Sequence, residues 1–433
     1  MKKIKVGVIG LGTVGSGVVE ALERNGGLIS ERSGVSVLVK TVCDKDHSRL
    51  EGITSSGKLV KTVNFEDILK DPEIDVVVEL VGGIEPALSI IKGALHEGKH
   101  VVTANKALLS EKWKEIFSLA SEKGLFVKFE ASVGGAIPII RTLRESFVGN
   151  KISAVYGILN GTTNFILTTM ESGGVSFKDA LKIAQEKGIA ESDPTLDISG
   201  ADSAHKLAIL SLLCFGQEVY SKNIYTEGIS DLEVQDISNA KKMGYGLKLL
   251  GIAKDSEKGL ELRVHPTLLK LSHLLSGVKG ADNAIYVKGD LMGESLLFGK
   301  GAGKYPTASS VVGDLVEIAT RMMSQGKEKA ALPDVGYASK KLRARKMEDM
   351  KLAYYMRFSV IDRPGVLAGI SGILSENNIS IANVAQEERN EGETVPVVIL
   401  THKAKEGDMQ KAITRIDSMN YVSSKTVVIR IED

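Results

Sequence analysis

The sequence is nearly free of cysteine: Cys43 and Cys214 are the only two in 433 residues. Both sit in apolar runs, KTVCDKD and LAILSLLCFG, which predicts two buried thiols in a reducing compartment and excludes a disulfide framework. A charge excess of either sign is missing too. With 55 basic and 54 acidic residues the net charge is +1, which gives neither nucleic acid nor an anionic membrane an electrostatic reason to bind. No apolar run is long. Leu207–Phe215 falls well short of the roughly 20 residues that a membrane helix needs. The basic start MKKIKVGVIG lacks a small-residue cleavage pattern and breaks at glycines, so it reads as a first strand and not as a signal peptide. A soluble cytoplasmic protein is expected. Histidine is scarce, and the pair spaced like zinc ligands, His96 and His100, has Gly98 between them and a strand beginning at the second. They would not share a helical face. No G-x-S-x-G motif, P-loop, internal repeat or low-complexity tract occurs.

The composition, 43% hydrophobic and 25% charged with 45 glycines, is that of a globular protein with many tight loops, and the length implies two or three domains. Up to about residue 130, short β-branched strands (Ile4–Ile9, Val35–Cys43, Val76–Leu80, His100–Thr103, Phe126–Glu130) alternate with helices around Glu66–Leu69, Pro86–Glu97 and Glu111–Lys123. That alternation predicts an α/β fold with a parallel sheet. Residues 131–345 change character. Lys151–Leu159, the helical Phe177–Lys187 and Ala201–Phe215 are followed by strands Glu261–Pro266 and Ala284–Lys288, which predicts an α+β domain with a mixed sheet. The charged stretch 340–351 reads as a linker or solvated helix. Residues 352–433 then give strand Tyr354–Ile361, helix Gly365–Glu376, strands Ile379–Glu387 and Val395–Thr401, helix Gly407–Met419 and strand Val422–Ile431. This βαββαβ order is the ferredoxin-like pattern.

Gly10-x-Gly12-x-x-Gly15 follows the first strand directly and opens a helix. In that context the motif predicts a Rossmann dinucleotide site, with Gly10 for the tight turn, Gly12 for approach to the pyrophosphate and Gly15 for helix–strand packing. The helix start at Thr13 and Val14 would offer free N–H groups and a positive dipole end to the phosphates. A glycine turn without a ligand is the bland alternative. The second strand ends at Asp44-Lys45, delayed by the longer connection RNGGLISERSG. Asp44 would suit the ribose 2′-hydroxyl of NAD, while Lys45 would suit the 2′-phosphate of NADP, and both remain open. The glycine pair of ELVGG, including Gly82, suits a backbone close to a ligand. HVVTANKALL places Thr103 and Lys106 at the carboxyl end of a strand, where open α/β sheets bind ligands. Lys106 is a functional candidate or a plain surface lysine.

In GIAESDPTLDISGADSAHKLAILSLL, Asp202 and Lys206 are four apart at the start of an apolar helix and share a face. A lysine on a buried helix needs a partner, which Asp202 supplies. A protonated lysine beside a carboxylate suits carbonyl reduction, donating a proton to the developing alkoxide. Glu191, Asp193 and Asp197 precede the helix and would suit an ammonium group. By spacing alone, the Asp–Lys pair is equally a solvated helix pair.

The segments GVIGLGTVGSGV, ELVGGIEPA, HVVTANKALL, FEASVGGAIPII, GILNGTTNFIL, GIAESDPTLDISGADSAHKLAIL and GKGAGKYPTASSVVGDL, in this order, resemble homoserine dehydrogenases over roughly residues 4–345. The resemblance implies interconversion of L-aspartate 4-semialdehyde and L-homoserine with NADPH or NADH, on the way to threonine and methionine. It implies Lys206 as proton donor, Glu191 and Asp202 as substrate ligands, Lys106 at the cofactor and substrate, and cofactor contacts at Gly188, Gly301 and Gly303. It further implies a monovalent cation, typically sodium, held by Glu130 and the carbonyls of Val133, Gly135 and Ile137, an oxygen set that suits a hard ion. In such proteins the chain near Thr307–Thr320 returns to the dinucleotide domain, so a return segment is expected at 305–335.

FSVIDRPGVLAGISGILSENNISIANVAQEE resembles an ACT domain. This implies an amino-acid effector, with L-threonine the obvious one, near Gly365 and Asn383 at a subunit interface of a homodimer or homotetramer. A domain that only dimerises is the alternative. Two other readings stay open from sequence: a related dehydrogenase for another semialdehyde, and an amino-acid sensor that has lost the chemistry.

Overall fold

The structure is a computed structural model that describes residues 2–54, 57–324, 344–386 and 393–432. Its first part alternates strand and helix: β1 (Lys2–Ile9), α1 (Thr13–Ser33), β2 (Val35–Cys43), α2 (His47–Glu51), β3 (Val60–Thr62), α3 (Glu66–Leu69), β4 (Val76–Glu79), α4 (Ala87–His96), β5 (His100–Thr103), α5 (Lys106–Lys123) and β6 (Val127–Lys128). The strands form one sheet in the order β3-β2-β1-β4-β5-β6. Every pairing is parallel. This is the doubly wound Rossmann order, and its switch point lies between β1 and β4, where the crevice for a dinucleotide opens. Two details depart from expectation. RNGGLISERSG is the end of α1, which runs through Gly26 and Gly27 to a left-handed Gly34 cap. The strand expected over Phe126–Glu130 is paired only at Val127–Lys128, and β3 has an exposed pattern that carries no alternation to read.

Residues 139–324 continue with α6 (Ile139–Arg141), β7 (Ile152–Ile158), α7 (Gly161–Gly173), α8 (Phe177–Glu186), α9 (Thr195–Ile198), α10 (Ala201–Phe215), β8 (Tyr225–Thr226), α11 (Val234–Lys242), β9 (Tyr245–Ser256), β10 (Gly259–Lys270), β11 (Asp282–Gly289), β12 (Gly293–Lys300) and α12 (Lys304–Ser324). After them come β13 (Lys351–Ile361), α13 (Val366–Glu376), β14 (Ile381–Ala385), β15 (Thr394–Thr401), β16 (Ala404–Lys405), α14 (Glu406–Asp417) and β17 (Val422–Glu432). Of the expected linker, residues 340–343 lie outside the described residues, as does Glu387 of an expected strand; Met347–Asp349 is a short 3-10 turn.

The chain divides into two compact units: residues 1–152 with 205–223 and 283–341, and residues 153–204 with 224–282 and 342–433. In the first unit, Ile4, Val6 and Val8 on one face of β1 pack with Val18, Val19 and Leu22 of α1. Ala308, Val311, Leu315, Ile318 and Ala319 of α12 complete this core. Burying these aliphatic side chains contributes on the order of 1.5–3 kcal/mol each. Gly17 makes the contact between α1 and the start of α12 possible, since a Cβ there would lie 2.8 Å from Lys304.

In the second unit the sheet runs β7-β9-β10-β17-β13-β15-β14, with β8 beside β10 and β16 beside β13. β9 and β10 are antiparallel over twelve residues, whereas β10 and β17 are parallel, so the sheet is mixed. The βαββαβ unit buries Tyr354, Met356, Phe358 and Val360 of β13 against Ile370 and Leu374 of α13 and Ile413 and Ile416 of α14. The alternate residues Tyr355 and Arg357 face the other way and bind Asp236 of α11. Because β17 pairs with β10, the C-terminal fold and the central strands share one sheet.

Candidate active site

The glycine turn has the geometry its spacing predicts. Gly10 has φ +95°, and a Cβ on Gly15 would lie 1.9 Å from the Gly10 carbonyl oxygen. Gly12, by contrast, caps α1, and a Cβ added there would meet nothing nearer than Arg49 at 3.9 Å. The turn is therefore closed by Gly10 and Gly15 and left open at Gly12. Thr13 and Val14 begin the helix, so their N–H groups belong to its unsatisfied first turn. Asp44 directly follows β2 and receives the Leu11 N–H at 2.6 Å and the Asp46 N–H at 2.9 Å. It thus braces the glycine turn. Lys45 is exposed. Arg49, half-exposed and 3.5 Å from Asp44, is a cation beside the turn that no motif in the sequence marks.

Under the ends of β4 and β5 lies a second residue that the sequence does not single out. Glu79 is fully buried; its carboxylate accepts the Thr103 hydroxyl at 2.7 Å and the backbone N–H groups of Val81 and Gly82 at 2.8 and 3.3 Å. Burial raises its pKa against these opposing hydrogen bonds. Gly82 has φ +80° and open space at its Cβ position. Asn105 donates to the Gly83 carbonyl at 2.6 Å and caps α5 by accepting from Leu108. Lys106 is thereby set as the first residue of α5, and not in a free loop. Still within the first unit, Gly303 (φ +122°) leads into α12, and a Cβ on Gly301 would strike Asn283 at 2.0 Å.

Lys206 and Asp202 stand one turn apart on α10, and both are buried, with 7% and 5% of their surface exposed. The apolar side of that helix, Ala208, Ile209 and Leu212, meets Leu109 and Trp113 of α5 around a gap of about 10 Å³. Asn160 joins the carboxylates: its Nδ2 donates to Asp197 at 2.7 Å and to Asp202 at 2.9 Å, while its Oδ1 caps α7 through the Thr163 N–H at 2.8 Å. The segment GILNGTTNFIL contains this residue, but no local signal says that an N-cap will also bridge two acids about 40 residues downstream. Gly188, with φ +68°, follows α8, and Glu191 lies exposed in the loop whose backbone receives Gln185.

The expected cation ligands fall in a glycine turn of the first unit. Glu130 is buried, and its two carboxylate oxygens accept the Ile140 and Arg141 N–H groups at 2.8 Å each. These bonds, with that from Glu130 N–H to Asp314, draw the chain out of the sheet after Lys128. The Gly135 carbonyl accepts from Ser310 and the Ile137 carbonyl from Ile139. Every donor in the set with Val133 is oxygen and retains a lone pair, which fits a hard monovalent ion. Glu130 also borders a cavity of about 380 Å³ together with Lys128, Arg141 and Cys214. Cys214 is therefore only partly buried, against expectation, because the helix face that carries it borders this cavity; Cys43 is buried, and both thiols are free. In the C-terminal fold Gly365, φ +93°, caps α13, and Asn383 lines a cavity of about 210 Å³ with Gln235, Asn239 and Lys242 of α11. Among the described residues no helix is long and apolar enough to cross a membrane.

Comparison with known proteins supplies the family. Residues 10–130 match the model for the homoserine dehydrogenase NAD-binding domain, 138–316 that for homoserine dehydrogenase, and 354–418 that for the ACT domain. Homoserine dehydrogenase of Pseudomonas aeruginosa is 43% identical over 100% of this chain and 99% of its own. The crystal structure of a homoserine dehydrogenase from Thiobacillus denitrificans is 44% identical, with a TM-score of 0.91 over 100% of this chain and 99% of that one. A hyperthermophilic archaeal homoserine dehydrogenase in complex with NADPH is 27% identical, with a TM-score of 0.61, over 74% of this chain and 98% of that one. With its glycine turn, its buried Asp202 and Lys206 and its C-terminal βαββαβ fold all in place, the chain belongs to the homoserine dehydrogenase family of NAD(P)-dependent oxidoreductases and carries an ACT domain.

Proposed function

We propose that this enzyme interconverts L-homoserine and L-aspartate 4-semialdehyde with Lys206 as the proton donor and acceptor. The observation that carries this reading is a lysine only 7% exposed, one helical turn from an equally buried aspartate. A buried lysine needs a partner of opposite charge, and Asp202 on the same helix is placed to be one. When bound, NAD(P)H would supply the hydride that reduces the carbonyl carbon. The Lys206 Nζ gives its proton to the oxygen that becomes the alcohol, and in the oxidising direction it takes that proton back. Asp202, Asp197 and Glu191 bind the substrate's ammonium group, and Lys106 orients the bound substrate and nicotinamide. Asn160 supports this reading, because its two bonds hold Asp197 and Asp202 at a fixed separation before substrate arrives.

The glycine turn would hold the cofactor, with Thr13 and Val14 offering N–H groups to its phosphates and Gly82, Thr103, Gly188, Gly301 and Gly303 as further contacts. Each Asp44 oxygen already accepts a backbone N–H group and braces the glycine turn, while Arg49 and Lys45 offer charge to a 2′-phosphate. That favours NADP over NAD. Glu130 and the carbonyls of Val133, Gly135 and Ile137 would hold a sodium ion, whose role would be structural. L-Threonine acts through the ACT domain at Gly365 and Asn383 in a homodimer or homotetramer. The free thiols agree with a cytoplasmic setting.

Lys206→Ala tests the mechanism. Turnover should fall by roughly 10²–10⁴-fold, with cofactor affinity, followed by nicotinamide fluorescence, little changed. Near-normal turnover removes Lys206 from its role. A sensor without chemistry would show no homoserine-dependent cofactor reduction in the wild-type protein.

A further inference from the structure

The helix that carries Asp197 rests on a strip of chain held from the other side by the last strand of the ACT domain. Ile229 N–H donates to the Ile198 carbonyl at 2.9 Å, and Gly228 is so close beneath α9 that a Cβ on it would lie 2.3 Å from the Ile198 oxygen. Gly200, at the entry to α10, has φ +85° and would meet Thr226 at 3.0 Å. The strip Tyr225–Glu227 is stitched to β10, with Glu227 N–H donating to the Val264 carbonyl at 2.8 Å. From β17, which pairs further along the same edge of β10, the guanidinium of Arg430 reaches this strip. Its Nη1 donates to Glu227 Oε2 at 2.7 Å and its Nη2 to the Tyr225 hydroxyl at 2.8 Å. Its remaining bonds go to Glu406 of α14, and only 2% of its surface is exposed.

We propose that the Glu227–Arg430 ion pair is a positioning device for the substrate-binding carboxylates, so that the last ACT strand forms part of the support of the active site. A guanidinium fixed by two carboxylates in fork geometry holds position better than a flexible ammonium would. Any movement of β17 pulls on Glu227, then on Gly228 against α9, and so on Asp197 and its Asn160 bridge to Asp202. In this proposal the pair contacts neither substrate nor cofactor. It acts through the separation of the carboxylates.

This inference rests on Asp197 and Asp202 binding substrate, so its test carries a separate check of that reading. Glu227→Gln keeps the side-chain volume and leaves Arg430 paired to Glu406. The homoserine KM should rise about fivefold or more, with the cofactor KM within about twofold and the unfolding temperature nearly unchanged. Glu227→Asp, which keeps the charge, should lie between wild type and Gln. Asp202→Asn should raise the homoserine KM whatever the fate of the link. If Asp202→Asn has its effect and Glu227→Gln leaves the homoserine KM unchanged, the positioning role is wrong. A rise in both KM values together with a fall in unfolding temperature reduces the pair to a purely structural one and overturns the proposal. If Asp202→Asn does nothing, the substrate assignment fails and the inference falls with it.

Discussion

Asn160 shows how much one amide can do. It satisfies an orphan N–H at the start of α7 and places donors on two carboxylates that would otherwise repel each other. Asn160→Asp separates these tasks. The new carboxylate still caps the helix but offers no donor and adds a third negative charge. The expected outcome is a homoserine KM raised about tenfold or more, with helix content by circular dichroism unchanged. Asn160→Ala should lose the cap as well and lower stability by about 1 kcal/mol. Glu79 is a comparable hub beneath the cofactor loops. Its segment stands out in the sequence through its glycines, with no reason there to single out the acid, because its importance comes from Thr103, 24 residues away.

At the scale of the element, the glycine turn makes opposite predictions for two neighbouring positions. In Gly15→Ala a methyl group would be placed 1.9 Å from backbone, so α1 must move away from β1; cofactor binding and thermal stability should both fall. In Gly12→Ala the fold has room, with 3.9 Å to the nearest atom, so the unfolding temperature should hold while the cofactor KM rises about tenfold. Equal stability loss in both variants would refute this division of roles. Gly365 is of a third kind. Its Cβ position is open, but φ is +93°, so Gly365→Ala strains the turn by roughly 1–2 kcal/mol. On the proposal that L-threonine acts through this domain, a changed response to threonine with an unchanged homoserine KM is the expected result, read from initial rates. Element types and most boundaries are legible in the sequence because periodicity and capping are local. The tail of α1 is not, since Gly26 and Gly27 look like breakers and are tolerated where nothing packs on them.

For the whole molecule, buried imidazoles are one source of acid sensitivity. His100 accepts the Phe126 N–H at 3.0 Å through Nδ1, and burial pushes its pKa down to about 4. His265, buried beside Arg263 and Arg430, is shifted in the same direction by desolvation and by these cations. A histidine with a depressed folded pKa leaves the unfolded chain binding more protons below its ordinary value near 6.5. The stability it contributes is whole above pH 6.5 and is lost as the pH falls from there towards 4. Buried carboxylates with raised pKa values, Asp314 above all, act in the opposite direction over the same window, so the imidazole contribution is read as a difference. Relative to His100→Gln, which keeps an acceptor but does not titrate there, the wild-type denaturant midpoint should lose ground as the pH falls from 6.5 to 4. A constant difference between the two proteins over that window would contradict the assignment. The buried pair Arg430–Glu406 belongs to this scale as well. Removing Glu406 leaves a buried guanidinium short of charge, and Glu406→Ala should cost roughly 3–5 kcal/mol of stability.

Read alone, the amino-acid order is enough to name candidate residues for the chemistry and the elements that present them: the glycine turn, the Asp202–Lys206 face, the alternation of a parallel sheet and the βαββαβ order of the C-terminal unit. These are local, written in spacings of two to four residues that periodicity and steric rules make legible. Folding in three dimensions adds that α12 completes the core of β1 from about 300 residues away, that β17 pairs with β10, and that Asn160 and Arg430 hold carboxylates far from them in the chain. Such partnerships depend on which surfaces meet once the chain has collapsed. A single sequence records no pairing between distant positions, so burial and hydrogen-bond geometry have to supply it.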